Sequence, residues 1–224
     1  MIPKLFIVST PIGNYDDITL RAINILKEVD FIICEEFKEA RRLLSQFKID
    51  KELFSLNEHN EDEASEEVLR KIKENKSAAL ISDCGTPLFS DPGTKLIQLC
   101  IESNIEVIPV PGASSIMAAL VGSGFSLDKF YYAGWLSPKS DIRKKELLRL
   151  KSIKEIIVLM ETPYRLKAIL TDIVKVFGSN TRLVVGFDLT LPTEKFLRGR
   201  SADILKIVET KNLKGEFVII IDNT

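Results

Sequence analysis

Ser82-Asp83-Cys84-Gly85-Thr86-Pro87-Leu88-Phe89-Ser90-Asp91-Pro92-Gly93 joins two unlike segments of the chain. Ahead of it, Ala78, Ala79, Leu80 and Ile81 form a short apolar run of the kind a buried strand shows, and behind it a helical pattern opens near Thr94. A polar Gly/Pro loop at a strand's carboxyl end is where open α/β sheets take their ligands, because backbone amides and helix N-termini converge there. Gly85 and Gly93 permit turns or close approach, while Pro87 and Pro92 stiffen the segment between them. The same composition also suits an ordinary capped turn, so the loop alone leaves both readings open.

Outward from this loop the strand-loop-helix pattern repeats. Leu5 to Val8 reads as a first strand, Ser9 to Asn14 as a Gly/Pro loop, and Ile18, Ala22, Ile25, Leu26 and Val29 as a helix face with Asp16 and Asp17 placed to cap it. Phe31 to Cys34 is a second strand, ending in Glu35-Glu36-Phe37-Lys38 before a helix through Leu44 and Phe47. Glu35 and Glu36 read as a helix start favoured by the macrodipole or as catalytic carboxylates, and spacing does not separate the two. Leu53 to Leu56 is a short extended piece, Ala64 to Ile72 a helix, Leu96 to Ile101 another, and Val107 to Val110 a strand. This alternation predicts a largely parallel sheet with helices on both sides.

Pro109-Val110-Pro111-Gly112 predicts a domain boundary, giving domains over 1–111 and 112–224. After it, Ala113 to Leu120 opens a helix of small residues whose N-terminal hydroxyls and amides suit either a polar ligand or tight core packing. Further strands are predicted over Phe130 to Trp135, Ile156 to Met160, Leu183 to Phe187, Glu194 to Leu197 and Gly215 to Ile221, with a strongly periodic helix from Leu166 to Phe177. The run Lys139, Arg143, Lys144, Lys145, Arg149, Lys151 and Lys154 reads as a solvated helix face or as a track for a phosphate backbone.

Composition narrows the function classes. The 224 residues are 45% hydrophobic, and 31 Lys plus Arg against 32 Asp plus Glu leave a net charge of -1. Bulk electrostatics therefore holds no partner, although a local basic face remains. No apolar run approaches the roughly 20 residues of a membrane span, and Met1 to Val8 lacks a signal peptide's apolar region, so a soluble cytoplasmic protein is expected. Three widely spaced cysteines and the single His59 fit neither a disulfide framework nor a metal site, and no metal is expected.

Taken together, Thr10-Pro11-Ile12-Gly13-Asn14, Asp17 to Ala22, Ser82 to Gly93, Pro109-Val110-Pro111-Gly112 and Glu161-Thr162-Pro163-Tyr164-Arg165 resemble the tetrapyrrole methylase superfamily. The branch they are most similar to is the small-subunit ribosomal RNA cytidine 2'-O-methyltransferases. The resemblance implies two α/β domains, S-adenosylmethionine in the cleft between them, a homodimer, and ribosomal RNA or the small ribosomal subunit as partner. By position it implies cofactor contacts from Pro11, Asp83, Gly85, Thr86, Ser114, Ser115 and Met160. No Gly-x-Gly-x-x-Gly follows the first strand, which separately disfavours the Rossmann type of methylase. A ribose hydroxyl acceptor calls for a base, and Glu35, Glu161 and Asp188 are candidates because each ends a predicted strand. Lys38 and Arg165 are the candidate phosphate contacts.

The chain departs from that branch on the substrate side. Glu35-Glu36-Phe37-Lys38 replaces a typical Glu-Asp-Thr-Arg, Asn57 and Tyr164 stand where histidines are usual, and Phe187 to Leu191 replaces Arg-Glu-Leu-Thr-Lys. The resemblance leads one to expect an additional C-terminal segment, and the sequence ends at Thr224 ahead of it. Two alternatives stay open: methylation of a small molecule such as a tetrapyrrole, and a cofactor-binding module without catalysis.

Overall fold

The computed structural model of the protein describes residues 3–89 and 91–224; Met1, Ile2 and the loop's Ser90 lie outside the described residues. The chain divides into two compact units, residues 1–114 and 115–224.

In the first unit, strands β1 (Lys4–Val8), β2 (Phe31–Cys34), β3 (Glu52–Ser55), β4 (Ser77–Ile81) and β5 (Glu106–Val110) form one sheet in the order β3-β2-β4-β1-β5. Every pairing is parallel. A parallel sheet must be covered on both faces, and the period-two alternation of the strands shows how this happens. Ile32 and Cys34 face helices α1 (Leu20–Glu28) and α2 (Phe37–Gln46), packing with Ala22, Leu26, Leu43 and Leu44. Phe31 and Ile33 face helices α3 (Glu61–Lys73) and α4 (Thr94–Glu102), packing with Val68, Ile72, Leu96 and Cys100. Pro109, read from sequence as part of a boundary, lies within β5 opposite Ile7; as an edge strand β5 tolerates the missing amide.

The start of α1 differs from the sequence expectation. Asp16 and Asp17 belong to a short 3-10 turn of their own, Tyr15–Asp17, whose cap is Asn14. The hydroxyl of Thr19 caps α1 instead, accepting from the amide of Ala22 at 3.0 Å. Thr19 is the last extended residue before the helix, which is the geometry a capping side chain requires.

The second unit begins with α5 (Ser115–Ser123) and holds a mixed sheet, β6 (Phe130–Trp135), β7 (Ile156–Glu161), β10 (Phe217–Asp222), β8 (Arg182–Phe187) and β9 (Lys195–Arg200), in that spatial order. Only β6 and β7 run parallel. Helices α6 (Ser140–Lys151), α7 (Leu166–Phe177) and α8 (Ser201–Lys211) complete the unit. Helix α8 is missing from the sequence reading: its buried Ile204 and Val208 are diluted by charged neighbours, and tertiary packing against α7 and β9 sustains it. The small residues of α5 serve close packing, since a Cβ on Gly122 would meet the Phe196 ring at 2.1 Å. No described helix is long and apolar enough to cross a membrane.

The basic run of α6 is not uniformly solvated. Arg143 is buried, and its guanidinium donates to Asp172 through Nη2 at 2.6 Å and Nε at 2.9 Å, and to the carbonyls of Ser137 and Pro138. It ties the loop after β6 to α7; elsewhere in the run Lys151 donates to the Val176 carbonyl at 2.8 Å and Lys144 lies 3.8 Å from Asp141. Removing one partner strands a buried charge, so Arg143→Ala is expected to cost about 3–5 kcal/mol. Urea unfolding measures this as a lowered midpoint, and a loss below about 1 kcal/mol would show the pair to be dispensable.

Candidate functional site

At the carboxyl ends of the first unit's strands, successive loops are joined by hydrogen bonds. The amide of Thr10 donates to the Gly85 carbonyl at 2.8 Å, and its hydroxyl donates to the Ser82 carbonyl at 3.0 Å. The Ser9 hydroxyl donates to Thr86 Oγ1, and the Thr86 hydroxyl donates to the Ala113 carbonyl, each at 3.1 Å. The loops after β1, β4 and β5 therefore form one lattice. Gly85 takes a left-handed backbone at φ +84, and a Cβ there would lie 3.1 Å from Ile12 Cγ2. Gly112 is closer still, with room for a Cβ only 2.9 Å from that of Ser9.

Carboxylates gather beside this lattice. Asp83 Oδ1 accepts from the Glu36 amide at 3.3 Å, which fixes the loop after β4 to the loop after β2. Burial pushes the Glu35 carboxyl above its ordinary range, and the nearby Asp83, Asp91, Glu36 and Glu58 push it further. Asp83 as a residue reaches solvent, yet its carboxyl is partly enclosed: burial raises it, the Glu36 amide opposes that, and Glu36, Glu39 and Asp91 add to it. Asp91 is raised by burial as well, against a hydrogen bond from Ser82. A small cavity of ≈ 40 Å³ lined by Thr10, Pro11, Tyr15, Ser82 and Asp83 opens here. Crowded carboxylates of raised proton affinity hold excess negative potential, and a cationic ligand relieves it. Cys34, at the end of β2, is no nucleophile: burial pushes its thiol up to about 12.

The N-terminus of α4 does not serve as an anion site. Glu61 Oε1 accepts from the amides of Gly93 at 2.8 Å and Lys95 at 3.2 Å, so a carboxylate of the chain's own already engages this end. The long loop is thus anchored at both ends, by Thr10 and by Glu61.

In the second unit, strand register brings other candidates to one end of the sheet. Glu161 lies opposite Phe217, Phe217 opposite Phe187, and Met160 opposite Trp135. Met160 Sδ accepts from the Tyr132 hydroxyl at 3.3 Å. Glu161 is only 2% exposed; its Oε1 accepts from the Thr162 amide at 2.7 Å and pairs with Arg165 Nη2 at 2.5 Å. Its Oε2 is buried with no hydrogen-bond partner among the described residues. Asp188 has a left-handed backbone at φ 46 and packs on Gly215, where a Cβ would sit 2.4 Å from its Oδ1. Burial and Asp188 together raise the neighbouring Glu216.

The sequence-derived candidates therefore fall into two groups. Pro11, Asp83, Gly85, Thr86 and Glu35 meet in the first unit, with Lys38 exposed at the start of α2. Met160, Glu161, Arg165 and Asp188 share the sheet end of the second unit, while Ser114 closes the first unit and Ser115 opens α5. The sequence does not single out Ser9, Glu61, Asp91 or Tyr132, although Asp91 stands inside the signature loop; Glu36, read there as a helix start or a catalytic carboxylate, offers its amide to Asp83.

The sequence matches the tetrapyrrole (corrin/porphyrin) methylase family over residues 4–205. It is 40% identical to a ribosomal RNA small subunit methyltransferase I of Synechocystis over 97% of this chain and 78% of that protein. It is 38% identical to the protein of the same name from Thermotoga maritima, over 97% of each. Among solved structures, uroporphyrin-III C-methyltransferase of Thermus thermophilus, complexed with S-adenosyl homocysteine, superposes with a TM-score of 0.69 at 15% identity, covering 97% of this chain and 96% of that one. The family match and the relatives' identities make the chain a methyltransferase, and the solved-structure likeness gives it their fold of two α/β units. The chain belongs to the tetrapyrrole methylase family.

Crowding of carboxylates gives a pH signature. A carboxyl raised in the folded state binds its proton more tightly folded than unfolded, so its stabilising effect is present at low pH and lost as pH rises through the raised value. Asp83→Asn removes the charge while keeping an oxygen for the Glu36 amide. The variant is expected to melt above wild type at pH 7, with the difference shrinking towards pH 4, the ordinary carboxylate range. Calorimetry across that range checks it; a variant less stable than wild type at pH 7 contradicts the crowding.

Proposed function

We propose that the protein transfers a methyl group from S-adenosylmethionine to the ribose 2'-hydroxyl of a cytidine in small-subunit ribosomal RNA, acting as a homodimer in the cytoplasm. The support for the acceptor is the likeness to ribosomal RNA small subunit methyltransferases I, at 34–40% identity across nearly the whole chain. The support for the donor is the acidic crevice: partly enclosed carboxylates, raised by burial and by one another's charge, suit a ligand carrying a sulfonium and an ammonium. Pro11, Asp83, Gly85 and Thr86 hold it, with Asp83 taking the ammonium or a ribose hydroxyl. When bound, S-adenosylmethionine supplies a methyl group activated by its sulfonium.

The chain's own work is alignment and proton removal. Direct methyl transfer needs acceptor oxygen and leaving group in line and no covalent intermediate on the protein. Among the three candidate carboxylates, Glu35 suits the base: its proton affinity is raised, and its carboxylate has no ion pair among the described residues. It receives the proton of the acceptor hydroxyl. Glu161 is instead committed through Oε1 to the Arg165 guanidinium, which it orients. Arg165 keeps further donors for a phosphate, and Lys38 supplies a second positive charge at the start of α2.

Mapping ribose methylation in ribosomal RNA from cells with and without the protein tests the acceptor. One small-subunit cytidine is expected to lose its methyl group, and purified protein is expected to restore it on isolated subunits. An unchanged map with no transfer in vitro contradicts the reading. Glu35→Gln is expected to lower kcat by roughly 10²–10⁴-fold with donor affinity retained, the span of general-base catalysis; a drop below about tenfold would remove Glu35 from that role.

A further inference from the structure

The most exposed large hydrophobic side chain among the described residues is Tyr164, at 95%, within the segment that follows β7. An aromatic ring left this open, one residue before Arg165, contributes almost nothing to folding. Its place in the fold is specific. Because β10 begins opposite Glu161, the segment leading into β10 reaches the same end of the sheet, and there it forms one wall of a cleft of ≈ 370 Å³ with Tyr164 on the other.

The lining of this cleft matches the parts of a nucleotide. Val208 offers an apolar wall, Asn212 an amide able to read a base edge, and Lys167 and Lys214 positive charge. Glu209 is the only acidic residue lining it and lies 3.0 Å from Lys167, both groups well exposed. An exposed pair of this kind is weak, and a phosphate can displace it. Lys214 has no ion pair among the described residues. Two lysines against one glutamate favour an anion, and the free ring favours a flat π-system.

We propose that this cleft is a subsite for an unpaired nucleotide of the RNA substrate, whose base stacks on Tyr164 and whose phosphate is held by Lys167 and Lys214. The inference rests on the RNA reading given above and names the part of the RNA that the second unit recognises. Stacking on an aromatic ring is tolerant of base identity, so the subsite grips a single strand without setting its sequence. Being almost fully exposed, Tyr164 is replaced without disturbing the core.

The test uses the full chain, S-adenosylmethionine and small ribosomal subunits from cells lacking the protein. Tyr164→Leu is expected to raise KM for subunits roughly tenfold while kcat and donor affinity hold, and Tyr164→Trp to bind subunits as wild type does. Subunit RNA substituted with thiouridine is expected to photo-crosslink to the peptide carrying Tyr164. An unmoved KM in Tyr164→Leu, a defect that Tyr164→Trp shares, or crosslinking of this peptide to ribosomal protein in place of RNA overturns the subsite. A wild type that methylates subunits beside an unmoved Tyr164→Leu refutes the subsite alone. A wild type that methylates no RNA refutes the RNA reading and the subsite with it.

Discussion

The hydrogen bonds from Thr10 to Gly85 and Ser82 are the constraint on which the first unit's site depends. They join the loop after β1 to the loop after β4, two neighbouring strands whose connections would otherwise end freely in solvent. Both groups of Thr10 are buried, so each bond is made in a setting where leaving it unmade costs about 1–3 kcal/mol. With the loop held there at its start and by Glu61 at its end, its carboxylates cannot swing apart to relieve their repulsion. The lattice therefore stores an electrostatic cost at one place.

That cost has a chemical use. Asp83, Glu35 and Asp91 are all raised by burial, and Asp83 and Glu35 also by one another or by their acidic neighbours. A site prepared in this way gains from a cation more than an exposed carboxylate does, since the ligand removes a repulsion already present. The second unit is arranged on different terms. Its buried Glu161 is half satisfied by Thr162 and Arg165, and its polar surface residues, Tyr164, Lys167 and Lys214, suit a larger and anionic partner. One unit thus favours a small cation and the other a polyanion, a division that fits a methyl donor and an RNA acceptor.

Much of the first unit could be read from residues alone, because its strands are short apolar runs and its turns are marked by glycine and proline. Phe31 to Cys34 and Ala78 to Ile81 are buried throughout, which announces a covered parallel sheet. Interactions between distant residues carried no such mark. Arg143 stood within a run of charges, and only its pairing with Asp172, 29 residues on, makes it a core residue. Glu61 carries no mark of its role in the sequence, yet it accepts from the first amides of α4 across 32 residues. Helix α8 was lost for a related reason: Ile204 and Val208 form too narrow a stripe until α7 and β9 pack against it. Thr19 displaced Asp16 and Asp17 as a cap because local backbone, not residue type, selects among several competent side chains.

We propose that the lattice of loops after β1 and β4 frames the methyl donor. Hydrogen–deuterium exchange of the full chain, with and without S-adenosyl homocysteine, addresses it directly. The expected result is added protection over Ser9 to Ile12 and Asp83 to Thr86, with the cleft beside Tyr164 unchanged. Binding that leaves both loop segments unprotected, or that protects the Tyr164 cleft in their place, would place the donor elsewhere.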